Sequence, residues 1–304
     1  MSSPSRILLS APAKLNLFFE VTGTRPDGYH EVETITTLVT LYDRLVIQAR
    51  PGSEGAVALA CIDARGESKA APLPTDGQNL VAKAYHLLAE SCGNAMPVEI
   101  ELTKRIPAEA GLGGGSSDAA AALFGLNRLR NPGLTAGELK RLAARLGSDV
   151  PLFFEKSPAL GLGRGEVTRP LDAARELDFV IFKPPFGLST AAVYRALDEE
   201  PDYKPRSSAP LADALARGAE TKELFDLFFN RLEATARRIS PELDACFGTL
   251  GPLAPFRLTG SGTALYTLVS GPDEAVQLKG EIEKTGIPGK VFACRSAASP
   301  LSPI

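Results

Sequence analysis

Residues 6–21, RILLSAPAKLNLFFEV, open as a short apolar run and then alternate. Leu15, Leu17 and Phe19 fall on one side and Lys14, Asn16 and Phe18 on the other, a period of two that predicts a strand. TRPDGYH, Thr24 to His30, carries Pro and Asp-Gly and predicts a turn; residues 31–48, rich in Thr, Val, Ile and Leu, predict further strands. The period then changes. After Asp76-Gly77-Gln78-Asn79, the segment LVAKAYHLLAES places Leu80, Ala84, Leu87 and Leu88 on one helical face, with His86 read as a structural residue of that apolar face. Val98 to Pro107 alternates again and is closed by Pro. A helix over an alanine-rich run follows, and then a second helix with Leu139, Leu142, Ala143 and Leu146 in a stripe and Gly147 at its stop.

The later half reads as a helix over TKELFDLFFNRLEATARR, a strand over FRLTGSGTALYTLV, a helix over PDEAVQLKGEIEK and a last strand, GKVFACR. Strands and helices mix without a βαβ rhythm, which predicts an α+β fold. Gly161 to Glu166 (GLGRGE) reads as a link between halves, 1–160 and 161–304, and Glu200 to Pro210 as linker-like. The 304-residue length is consistent with two such domains.

Composition narrows the class. Hydrophobic residues make up 44% and charged ones 23%, as in an ordinary globular chain. Net charge is −3 and the basic residues are scattered, which argues against nucleic acid or an anionic membrane as partner. Cys61, Cys92, Cys246 and Cys294 form no CxxC, and only His30 and His86 could join them, so neither a zinc site nor a disulfide framework is expected. That pattern, with an N-terminal apolar run too short for a signal peptide, predicts a cytoplasmic protein.

The stretch GLGGGSSDAA, from Gly111, carries the candidate chemistry. Glycine in a fixed conformation costs more backbone entropy than other residues, so a cluster before a helix needs a reason. A helix N-terminus leaves N–H groups unpaired and partly positive, and a glycine loop lets phosphate approach them. Ser116 or Ser117 can cap the helix, or bind phosphate or metal, and Asp118 stands in the first turn, where a carboxylate suits the dipole. The named loops fail: GxxxxGK[ST] requires Lys where Gly115 stands, and GxGxxG from Gly111 requires Gly at Ser116. The protein-kinase HRD and DFG motifs are absent as well.

APAKLNLFFEVTGTRPDGYHEVET, PAEAGLGGGSSDAA and LTGSGTALY together resemble the three motifs of the GHMP kinases. PAKLNL with DGYHE and GSDVP is similar to the branch that phosphorylates 4-diphosphocytidyl-2-C-methyl-D-erythritol in the non-mevalonate route to isoprenoid precursors. The resemblance implies a two-domain fold with the active site between the domains, and ATP with Mg²⁺ as donor. It implies Asp149 as catalytic base and Lys14 as the catalytic cation, with Asn16 beside it at the substrate. It places Tyr29, His30, Thr190 and Tyr194 around the cytidyl substrate, the two tyrosines on opposite faces of the base. For ATP it implies Asn79, Lys104, Pro107, Gly111, Leu112, Gly113, Gly114, Gly115, Ser116 and Ser117, with Ser117 the candidate at the metal. Glu109 departs from the small or apolar residues of relatives and would repel triphosphate unless it points away or helps hold Mg²⁺.

Taken singly, these residues read more plainly: Lys14 and Asn16 as the polar side of a strand, Asp149 as a helix-end carboxylate, Asn79 as an N-cap, Thr259 to Gly262 as a tight turn. Other GHMP acceptors, mevalonate or homoserine, and a non-catalytic ATP or metabolite sensor stay as alternatives, as do monomer and homodimer.

Overall fold

The computed structural model describes residues 5–51, 56–66, 72–93, 96–130, 132–200, 203–298 and 301. Its frame is one mixed sheet whose two long opening strands, β1 (Arg6–Thr24) and β2 (His30–Ala49), pair antiparallel along nearly their whole length. The DGYH turn joins them, with Gly28 at φ 81° where a side chain would be strained. β3 (Val57–Asp63) runs parallel to β4 (Val98–Lys104), and β4 pairs with β2.

Alternation along β1 is interrupted where it matters. Ile7, Leu9 and Ala11 enter one core, and Ala13, Leu15 and Leu17 a second, so Lys14 and Asn16 share the opposite side, both buried. The register slips between Asn16 and Phe18, so the alternation predicted through Phe19 fails by one residue. Phe18 joins Leu17 in the second core, and Phe19 turns toward the pocket described below.

Three helices cover the first core. These are α1 (Leu80–Ser91), α2 (Gly114–Arg130) and α3 (Ala136–Leu146), the last with a capping box between Thr135 and Glu138. α1 buries Val81, Ala84, Tyr85 and Leu88, while His86 is exposed, on the side opposite to the one expected. α2 starts at Gly114, so Ser116 and Ser117 lie inside its first turn rather than capping it.

A 3-10 turn (Val150–Phe154) leads to β5 (Ala159–Leu162) and β6 (Val167–Pro170), which pair with each other, β5 also with β2. GLGRGE is therefore the turn of a hairpin, with Gly163 and Gly165 at positive φ, and not a loose link. β7 (Asp178–Lys183) is apolar from Phe179 to Phe182 because it is covered on both faces: Phe179 and Ile181 face the second core, Val180 and Phe182 a third.

Around it pack α4 (Thr190–Asp198), α5 (Ala209–Arg217), α6 (Thr221–Leu227), α7 (Leu232–Ile239), α8 (Pro241–Leu250) and α9 (Pro272–Lys284). The single helix expected over 221–238 is two, split where β8 (Phe229–Asn230) pairs with β1. The strand expected over 256–269 is a tight hairpin of β9 (Arg257–Leu258) and β10 (Leu265–Val269). β11 (Lys290–Ala297) pairs with β7 and touches β2, joining the early and late strands. In the linker-like stretch, residues 201–202 lie outside the described residues; beyond them Arg206 and Ser208 donate backbone N–H to Glu20 and Glu33, so that part is tied to the first hairpin. Among the described residues no helix is long and apolar enough to cross a membrane.

Candidate active site

The three sequence motifs meet in space, joined largely through backbone. Lys14 N–H donates to Leu112 O at 3.0 Å, Asn16 N–H to Thr259 Oγ1 at 3.0 Å, and Thr263 and Ala264 N–H to Glu109 and Ala110 O at 3.2 and 3.1 Å. Glycine is required at the crossing. A Cβ on Gly111 would lie 2.1 Å from Thr259 O, and one on Gly113 would press on Lys14 and Phe153; both have φ near +70°. The glycine run is thus a rigid crossing of strand, loop and hairpin turn.

At this crossing Lys14 Nζ donates to Asn16 Oδ1 and lies 3.8 Å from Asp149 Oδ2. Lys14 is almost fully buried, whereas the Asp149 side chain is 49% exposed at the start of the 3-10 turn. Burial depresses the Lys14 pKa, and the Asp149 charge only partly opposes that. The ammonium is held with less neutralisation than its burial calls for, which favours an anionic ligand beside it.

A cavity of about 830 Å³ opens from this pair and is lined by Lys14, Asp149, Gly111, Gly113, Tyr29, His30, Thr190 and Tyr194 among others. On its wall the His30 and Tyr194 rings stack, centroids 4.5 Å apart, and His30 Nε2 is 2.7 Å from Asp198 Oδ1. Tyr29 is 56% exposed, under the Arg164 guanidinium at 4.9 Å from the ring centroid. The tyrosines therefore have different neighbours here, His30 for one and Arg164 for the other. Burial raises the Tyr194 hydroxyl pKa, so it stays protonated. Thr190 Oγ1 meets Ser261 Oγ at 2.7 Å, linking α4 to the third motif.

Other expected residues lie outside this cavity. Asn79 caps α1 by accepting from Val81 N–H at 2.9 Å. Lys104 is buried under the start of α2, its ammonium held by Asp43 and by Asp118 Oδ2 at 2.6 Å. Burial works against that ammonium, but the two carboxylates outweigh it and hold its pKa above the ordinary value. Asp118 is correspondingly no solvated first-turn acid. Burial pushes its carboxyl up to about 8 against the pull of Lys104.

Pro107, Leu112 and Ser117 are buried, Ser116 and Gly114 half-buried and Gly115 exposed. Ser117 Oγ is buried with no hydrogen-bond partner among the described residues. Glu109 has φ 48°, alone among the described non-glycine residues in being positive, and its side chain crosses to Gly187, where an added Cβ would come within 2.0 Å of its Oε2.

Sequence reasoning missed Phe19, Ser148, Arg164, Arg195 and Asp198, all on the cavity wall. Arg164 sits in a stretch read as a link. Asp198 could have been found as the i+4 partner of Tyr194 on one helix face.

A family model for the GHMP kinases N terminal domain matches residues 79–156. A protein of Nocardia farcinica named 4-diphosphocytidyl-2-C-methyl-D-erythritol kinase is 40% identical over 305 residues, covering 98% of this chain and 95% of its own. One of Pelotomaculum thermopropionicum with the same name is 38% identical over 281 residues, covering 90% and 93%. Among solved structures, a 4-(cytidine 5'-diphospho)-2C-methyl-D-erythritol kinase superposes with a TM-score of 0.76 at 34% identity, over 96% of this chain and 99% of that one. A homoserine kinase from Cytophaga hutchinsonii shares the fold, with a TM-score of 0.75 at 17% identity over 100% of this chain and 99% of that one.

Proposed function

The chain belongs to the 4-diphosphocytidyl-2-C-methyl-D-erythritol kinases of the GHMP superfamily, and from that membership we propose how its own residues carry the reaction. The protein is an ATP-dependent phosphotransferase acting on an alcohol, the 2-hydroxyl of 4-diphosphocytidyl-2-C-methyl-D-erythritol. The observation that carries the residue assignment is the pairing of a buried, under-neutralised Lys14 with a half-exposed Asp149 on the wall of one cavity.

Asp149 accepts the proton of the attacking hydroxyl, for which a carboxylate open to the cavity is suited. Lys14 places positive charge where phosphate oxygens gather it during transfer. Asn16 holds the Lys14 ammonium in place from the same strand face. The loop from Gly111 to Ser117 fits a triphosphate: it ends on the N-terminus of a 17-residue helix, and side chains at Gly111 and Gly113 would collide with the hairpin turn at Thr259 and with Lys14 and Phe153.

Mg²⁺, when bound, neutralises phosphate oxygens. Ser117 Oγ, buried with no hydrogen-bond partner among the described residues, is an oxygen in the first turn of α2 that such a ligand would satisfy. Asn79, beside the start of α1, and Lys104, beneath the loop, stand on the nucleotide side. Tyr29, His30, Thr190 and Tyr194 receive the cytidyl end, where stacking on an aromatic face is worth about 1–3 kcal/mol per base. The site lies in a cleft between the early and late halves of the chain; the cavity wall draws on both, with Lys14, His30 and Asp149 from one and Tyr194, Gly260 and Ser261 from the other. A cytoplasmic metabolic enzyme is the setting this implies.

The test offers the purified protein MgATP with the cytidyl substrate, mevalonate and homoserine separately. ADP release with the cytidyl substrate is expected, and release with mevalonate or homoserine alone would overturn the reading.

A further inference from the structure

Asp198 has no assigned part in this reaction, yet its position is chemically specific. It is the last residue of α4, where the unpaired carbonyls carry partial negative charge and a carboxylate is electrostatically unfavourable. One turn earlier on the same helix stands Tyr194. The Tyr194 ring stacks on His30, and Asp198 Oδ1 reaches His30 Nε2 at 2.7 Å, so one helix holds the imidazole by its face and by one edge. All three residues line the cavity. Nδ1, the other ring nitrogen of His30, has no hydrogen bond among the described residues.

An ionised carboxylate only accepts hydrogen bonds, so the nitrogen facing Asp198 must carry the proton. In a neutral imidazole the second nitrogen is then an acceptor. Cytosine presents an N4 amino donor where uracil, like thymine, presents an O4 acceptor. An acceptor nitrogen at the cavity wall therefore satisfies cytosine and opposes uracil, and without Asp198 the ring is free to take either tautomer.

We propose that Asp198 is a positioning residue that fixes the tautomer of His30 and thereby selects a cytidyl over a uridyl acceptor. The inference rests on the reading that this cavity takes the cytidyl group, and it adds a cause for base selection. A site built to hydrogen-bond one partner rejects an analogue that leaves its buried polar group opposed.

The experiment measures kcat/KM of the full chain, at pH 8, for the cytidyl substrate and its uridyl counterpart. Wild type is compared with Asp198→Asn, Asp198→Ala and Asp198→Glu, with KM for ATP followed in parallel. The expected result is a cytidyl-to-uridyl ratio lowered by at least about tenfold in the Asn and Ala variants, largely restored in the Glu variant, with KM for ATP unchanged. An equal loss on both acceptors with the ratio preserved is what a merely structural ion pair would give, and it would overturn the proposal. A wild type that discards neither base would overturn it too. Wild type inactive on the cytidyl substrate would instead sink the functional reading beneath it.

Discussion

Two buried lysines lie on either side of the glycine run, and they are held in opposite ways. Lys104, beneath the start of α2, is clasped by two buried carboxylates, and its pKa is raised. Lys14, at the cavity wall, has one half-exposed carboxylate at 3.8 Å, and its pKa is lowered. Asp43, besides holding Lys104, accepts backbone N–H from Arg105 and Ile106, so this network pins the end of β4 to the loop that follows. A buried charge matched by its partners is costly to unpair, whereas a buried charge left partly unneutralised is available to a ligand. The difference separates a structural floor from the wall of the proposed active site.

The largest expected break between the two comes from the wall. Asp149→Asn should lower kcat by about 10²–10⁴-fold with the melting temperature and ATP binding nearly unchanged; near-normal turnover in the purified variant would remove Asp149 from its role. The floor should behave inversely. Lys104→Met leaves two buried carboxylates without their cation, which costs about 3–5 kcal/mol, read by denaturant unfolding. An unfolding free energy equal to wild type would erase the distinction.

Next comes Tyr29→Ala, which should raise KM for the cytidyl substrate by an amount corresponding to about 1–3 kcal/mol, with KM for ATP unmoved; equal changes in both would misplace the base.

Titration sharpens the comparison further. Because burial lowers the Lys14 pKa, its ammonium is lost at a lower pH than that of a free lysine, so activity should fall on the alkaline side below pH 10.5. Lys104, raised, keeps its charge across that range. Amine-reactive labelling against pH, read by peptide mapping, should show Lys14 reacting at a lower pH than Lys104 and protected by ATP. The smallest effect belongs to Glu109→Gly: relief of the positive-φ strain should stabilise the protein by about 1 kcal/mol at most, and an unfolding free energy that falls instead would mean that the contact with Gly187 outweighs the strain.

Much of this was legible from residues alone. The period of two placed Lys14 and Asn16 on one strand side, and the glycine cluster before an alanine helix marked the close-packed loop proposed to take phosphate. The strand prediction lost its phase at Phe19, because a bulge follows from how two strands pair and not from either strand's own pattern. GLGRGE could not be told from a linker, since glycine permits both a hairpin turn and a flexible joint. Asp118 read as a dipole-matched first-turn acid and is in fact buried against Lys104, fourteen residues earlier on another element. His86 went to the exposed face because Tyr85 beside it supplied the apolar contact.

By itself, then, the sequence determined the class of fold, a candidate anion-binding loop and the motifs that mark the family, since each depends on local periodicity, backbone freedom and residue type. Only the tertiary structure decided which lysine is clasped by two carboxylates and which lines the cavity, which way Glu109 points, and that Asp198 meets His30. Those outcomes turn on burial and on contacts between residues up to 168 positions apart, which no local pattern encodes.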